Sequence, residues 1–235
     1  MAPKIVVDKP AGLTRSLIAL LAEEWQGAVT QRGLLALALP GGSVATTFFP
    51  ALAASGIDWT RAAFFWGDER AVPESDPDSN AGLARRLWLD PAGVPPGSVH
   101  RVETGAPSLA QSAERYAATL TRVLGTPPRL DVALLGVGPD GHVCSLFPGH
   151  PALEAGGWTA AVEDAPKPPP RRVTLTMATL EAAGLVVVVA LGAGKAPVMR
   201  EALGGAHADL PVARVLRRAR RAVVLLDPDA ADLLA

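Results

Sequence analysis

The chain has 235 residues, with 22 Lys or Arg against 23 Asp or Glu, so its formal net charge of −1 offers no broad attraction for nucleic acid or an anionic membrane. An apolar share of 49%, against 19% charged residues, supplies ample material for a core and excludes a disordered, solvating chain. This length suits one α/β domain over residues 1–235, in which any anion site must be local.

The amino end, Lys4-Ile5-Val6-Val7, begins no long apolar stretch behind a basic start. The longest apolar run, 182–191, falls far short of the about 20 residues that span a bilayer, so neither secretion nor membrane insertion is expected. The single cysteine, Cys144, cannot close an internal disulfide and cannot build a Cys-rich metal cluster, which fits a reducing cytoplasm.

Along the chain, a strand at 5–7 precedes a helix over 11–31, and a strand at 34–39 feeds a helix over 44–54. A strand at 62–66 is followed by helices over 80–89 and 109–124, with glycine- and proline-rich turns at 91–97 and 125–128. A strand at 132–137 comes next, then a proline-rich loop at 166–170. The most apolar strand, 185–191, leads into a helix over 195–203, and a strand at 222–226 with a helix over 228–234 ends the chain. Continuous apolar strands indicate a sheet covered on both faces, and strand–helix repetition indicates parallel, right-handed crossovers. The expected fold is therefore α/β, a doubly wound, mostly parallel sheet with helices on both faces. Ligands of such sheets sit beyond the carboxyl ends of the strands, so the loops there carry most weight.

Four such loops hold candidate site residues. Pro40-Gly41-Gly42-Ser43 joins a strand to a helix, where close backbone approach, free amides and a capping Ser43 hydroxyl suit a phosphate; a plain tight turn reads equally well. Gly67-Asp68-Glu69-Arg70 follows a buried strand and forms either a solvated loop or a pocket wall in which Arg70 can grip an anion in two places; Asp68, counted among the binding residues, and Glu69 both stay open between pocket and scaffold. In Gly136-Val137-Gly138-Pro139-Asp140-Gly141-His142, a histidine in a glycine-rich loop can serve as general base, with Asp140 either orienting the ring or holding a sugar hydroxyl. His100, His150 and His207 read as ordinary surface residues. The fourth element is basic: Arg171-Arg172, then Lys195 at a helix start, where its charge opposes the dipole unless an anion is bound.

Together these loops resemble the 6-phosphogluconolactonase family, grouped with glucosamine-6-phosphate isomerases in a Rossmann-like sugar-phosphate fold. The resemblance rests on Leu135-Gly136-Val137-Gly138-Pro139-Asp140-Gly141-His142 with Ser145-Leu146-Phe147-Pro148-Gly149, and on Trp66-Gly67-Asp68-Glu69-Arg70 with Ser79-Asn80. It implies His142 as catalytic base with Asp140 beside it, and Gly41, Gly42, Ser43, Arg70, Arg172 and Lys195 lining a phosphate and substrate pocket. Val44 departs from a hydroxyl residue and Cys144 from a small alanine. The implied reaction is hydrolysis of a small phosphorylated sugar lactone with no metal and no cofactor, by a monomer or small homo-oligomer without nucleic-acid or membrane partners. An amino-sugar-phosphate isomerase or deaminase would need a carboxylate shortly after His142, where Cys144-Ser145-Leu146-Phe147 stands. A non-catalytic sugar-phosphate sensor would need a further partner-binding segment.

Overall fold

Short runs of Val, Leu, Ala and Phe, too short for helices and uninterrupted by charge, extend side by side into a sheet, and the longer amphipathic segments between them close over its faces. The computed structural model describes residues 2–205 and 209–234. In chain order its elements are β1 (Lys4–Val7), α1 (Pro10–Arg32), β2 (Leu35–Leu39), α2 (Gly42–Ala53), β3 (Ala62–Trp66), β4 (Asp68–Arg70), α3 (Asn80–Ala84), α4 (Leu109–Leu124), β5 (Val132–Gly136), β6 (Thr159–Val162), β7 (Arg172–Leu175), α5 (Met177–Glu181), β8 (Leu185–Ala190), α6 (Ala196–Gly204), α7 (Pro211–Arg218), β9 (Ala222–Leu226) and α8 (Pro228–Ala231). Each strand expected from the sequence is present, with its ends shifted by a residue at most.

Those strands form a six-stranded sheet in the order β1-β9-β8-β5-β2-β3, all neighbours parallel. Alternate side chains feed two apolar layers. Leu37, Phe64, Leu134 and Val187 pack under α1, α2 and α3; Ala38, Phe65, Leu135 and Val188 pack under α4, α5, α6 and α7. After β2 the chain moves outward to β3, whereas after β5 it moves the other way to β8 and β9. The strand order thus reverses between β2 and β5, which leaves a crevice beyond their carboxyl ends.

A second, antiparallel sheet, β4-β7-β6, caps that crevice, pairing Asp68 with Thr174, Glu69 with Val173 and Arg70 with Arg172. It is bound to the main sheet through Gly67, whose amide donates to Leu39 O (3.0 Å) and whose carbonyl accepts from Leu175 N (2.8 Å). Residues 67–70, expected as a loop, thus contribute strand β4, and β6 and β7 are strands that the sequence pattern does not predict. Asp-Glu-Arg shows no apolar alternation, and its pairing partner lies about a hundred residues away, so local pattern carries no sign of it.

Helices α5 and α7 were also not anticipated, and the helix expected over 80–89 is α-helical only to Ala84 before a single π turn over Arg85–Leu89. That wider turn buries both Trp88 and Leu89. The Trp88 ring then sits within 5.4 Å of Phe64, 5.1 Å of Phe49 and 4.8 Å of Trp59, an aromatic cluster beneath β3. Among the described residues no helix is long and apolar enough to cross a membrane.

Candidate active site

The crevice at the sheet's reversal point is a cleft of about 240 Å³, and the four loops singled out in the sequence meet there. Gly41, Gly42, Ser43, Asp68, Arg70, His142, Arg172 and Lys195 all line it. Asp140 does not; it stands behind the His142 ring. Asn80 and Lys167 line the cleft as well, and no role had been read for either.

At the end of β2, Gly42 adopts a left-handed φ of 61°, open to glycine at little cost, and turns the chain abruptly into α2. The amides of the first turn of α2 therefore face the cleft with no intrahelical acceptor. The expected Ser43 cap is corrected here: the cap position is Gly41, no side chain caps the helix, and Ser43 lies within the first turn with its side chain exposed to the cleft. Val44 is buried in the apolar layer beside Gly136.

Beyond β5 a tight turn brings Gly138 N to His142 O (2.9 Å) and Gly141 N to Gly138 O (3.0 Å), folding the loop back so that His142 faces the crevice. Asp140 Oδ1 lies 2.5 Å from His142 Nδ1, and the ring packs on Phe147 at 4.5 Å between centroids. Of the two readings of Asp140, this contact supports ring orientation: it sets the proton on Nδ1 and leaves Nε2 as the free base. Burial pushes the His142 pKa down, and it prevails over the raising effect of Asp140, so the ring is neutral at neutral pH. Burial alone would raise the Asp140 carboxyl, but the hydrogen bond and charge of His142, aided by Lys167, hold it below the usual range. Lys167 Nζ stands 3.2 Å from Asp140 Oδ1 and 3.4 Å from His142 Nδ1.

The capping sheet separates two neighbouring acids. Glu69, 2% exposed, accepts from the amides of Arg70 (2.8 Å), Asn80 (2.8 Å) and Ala81 (2.7 Å) and from Ser79 Oγ (3.2 Å), which makes it scaffold at the start of α3. Burial still raises its carboxyl, against those amides. Asp68 reaches the cleft and accepts from Ser145 Oγ at 2.6 Å, while Asn80 Nδ2 donates to its carbonyl at 2.9 Å. Arg70 lines the cleft, with Nη1 donating to Asp78 O (2.9 Å) and Nε buried.

Arg172 lines the cleft as expected and is also tied to the loop beside it. Only 3% exposed, it donates from Nε to Pro169 O (2.8 Å), from Nη2 to Lys167 O (2.9 Å) and Pro168 O (3.2 Å), and from Nη1 to Ser145 Oγ (3.4 Å). Its donors are committed to protein acceptors. Lys195, at the junction of a 3₁₀ turn and α6, lines the cleft as expected. Burial lowers its pKa, and the neighbouring Lys167 charge lowers it further.

The remaining histidines divide. His100 is half-buried and stacked on Phe65 at 4.9 Å, and His150 caps a 3₁₀ turn through Ala152 N (3.1 Å) while pairing with Asp164 (3.0 Å); both are structural rather than plain surface residues. His207 lies outside the described residues. Among the described residues no three His, Cys, Asp or Glu side chains converge as metal ligands.

Residues 8–225 match the model of the family described as glucosamine-6-phosphate isomerases/6-phosphogluconolactonase. The chain belongs to that family. Within it, a protein from Rattus norvegicus named 6-phosphogluconolactonase is 39% identical over 241 residues, spanning 97% of this chain and 92% of its own. A Mycobacterium tuberculosis protein of the same name is 39% identical over 218 residues, 88% of each chain. The solved structure of 6-phosphogluconolactonase from Trypanosoma cruzi superposes with a TM-score of 0.89 at 29% identity, covering 100% of this chain and 98% of its own. A monomeric glucosamine-6-phosphate deaminase, at 19% identity and a TM-score of 0.81, shares the fold.

Proposed function

We propose that the protein hydrolyses 6-phospho-D-glucono-1,5-lactone to 6-phospho-D-gluconate, with His142 as the base. The observation that carries this reading is that one cleft holds both a carboxylate-oriented, neutral imidazole and the first turn of α2 with Ser43, Arg70 and Lys195. The cationic side suits the substrate phosphate, whose binding energy fixes the ring so that its carbonyl lies over His142. His142 Nε2 takes a proton from water as the oxygen attacks the lactone carbonyl, and Asp140 stabilises the imidazolium that forms. Collapse of the tetrahedral adduct breaks the bond to the ring oxygen, which leaves with the proton from Nε2. The new carboxylic acid then loses its proton to solvent, and the histidine is restored.

The relatives named 6-phosphogluconolactonase support the same substrate. The amino-sugar reading is disfavoured by the stretch Cys144-Ser145-Leu146-Phe147, which offers no carboxylate shortly after His142. The reading includes action as one domain over residues 1–235, alone or in a small homo-oligomer, in a reducing cytoplasm suited to its single cysteine. Freshly prepared lactone offered to wild type and to His142→Ala tests it: acid release above the spontaneous rate is expected from the wild type alone. Equal rates from both would remove the hydrolase assignment.

A further inference from the structure

Between β6 and β7 the chain runs through Pro166-Lys167-Pro168-Pro169-Pro170, closed at its base by Ala165 N donating to Pro170 O (2.9 Å). Prolines stiffen this strap but remove its N–H groups, so it can be fastened almost only through its carbonyls. One side chain does this: the buried Arg172 guanidinium donates to three successive carbonyls, Lys167 at 2.9 Å, Pro168 at 3.2 Å and Pro169 at 2.8 Å. A planar fork of five donors can span three acceptors, and a lysine ammonium cannot match that geometry. Fastened so, the strap turns the Lys167 side chain inward, with Nζ 3.2 Å from Asp140 and 3.4 Å from His142 Nδ1.

Resting on the hydrolase reading above, we propose that Lys167 is a positioning residue for the Asp140–His142 pair, and that Arg172 is the anchor that places it there rather than a ligand of the phosphate. The ammonium shares Asp140 Oδ1 with the imidazole, which fixes the carboxylate against the ring and leaves Nε2 toward the cleft. Its charge also opposes protonation of the ring. The other charged groups that act on this arrangement are Asp140 and Asp68, which favour the imidazolium, and Lys195, which faces Lys167 and Asp140.

The test is the titration of the His142 imidazole in the intact chain, followed by NMR and assigned with His142→Gln, so that it needs no turnover. In Lys167→Met the midpoint is expected to rise by about one unit, because Asp140 is left unopposed, and Lys167→Arg is expected to restore it. Arg172→Lys is expected to raise the midpoint in the wild-type background and to add nothing to Lys167→Met, since both act through one group. In the wild type the Arg172 Nε–H is expected to exchange slowly with solvent and to keep its resonance when inorganic phosphate is added, whether or not the Arg172 variant folds. An unmoved midpoint in Lys167→Met would overturn the role of Lys167, and a phosphate-induced shift of Arg172 would overturn its role as anchor. A wild type that shows these titrations yet leaves the lactone intact would instead defeat the hydrolase reading.

Discussion

Gly138 lies directly against the His142 ring: a Cβ built on it would stand 2.0 Å from Nδ1 and 2.4 Å from the Asp140 carboxylate. Only a residue without a side chain lets the carboxylate and imidazole meet there. Gly138→Ala is therefore expected to drive the ring from its place and to lower kcat/KM about a hundredfold, the scale of a misplacement of roughly 1 Å. The fold should persist, because the displaced group is a side chain; steady-state rates read beside a thermal melt check both halves.

Burial sets the direction of the pH dependence. Because burial holds the His142 pKa below its ordinary value and the proposed base is the neutral ring, the acid limb of kcat/KM in the wild type is expected to lie below the ordinary histidine range. Asp140 raises that pKa, so Asp140→Asn should move the acid limb still lower while the plateau drops by about 10² to 10⁴, as the ring loses both its tautomer and its counter-charge. A limb displaced to higher pH would contradict the pairing.

Phosphate recognition can be separated from the chemistry by substrate choice. Lys195→Met is expected to raise KM for the phosphorylated lactone about tenfold or more, the value of one charged hydrogen bond, with kcat little changed. The unphosphorylated lactone should be indifferent to the substitution. Equal loss on both substrates would place Lys195 outside the phosphate end.

Stability near the site depends on one hydroxyl. Tyr116, fully buried on α4, accepts from Trp66 N at 2.6 Å and donates to Trp66 O at 2.9 Å, satisfying both outward backbone groups at the end of the edge strand β3. Tyr116→Phe strands them in an apolar layer and is expected to cost about 1 to 3 kcal/mol, read as a melting temperature lower by several degrees. Calorimetry on the two chains decides it.

The six parallel strands and the longer flanking helices, though not α5 and α7, were legible because each is a local pattern: a continuous apolar run such as Val186-Val187-Val188-Val189 leaves little choice but a doubly covered strand. His142 was legible for a related reason, since a glycine-rich loop after such a strand must lie at the sheet's carboxyl rim. Less could be read where charge and proline dominate. Asp68-Glu69-Arg70 gave no periodic signal, and the proline run around Lys167 read as surface, although both are held in place by partners far along the chain.

The sequence by itself determined the sheet, the position of its ligand-binding rim and the residue types gathered there, because apolar periodicity and glycine placement act over a few neighbouring residues. Only the tertiary structure decided which groups hold each charge: Glu69 accepts from the amides at a helix start while adjacent Asp68 lines the cleft, and Arg172, in the cleft wall, grips the carbonyls of the proline strap. The physical reason is that a charged side chain takes its role from whichever donors and acceptors the fold brings within about 3 Å, and those partners lie tens of residues away in the chain.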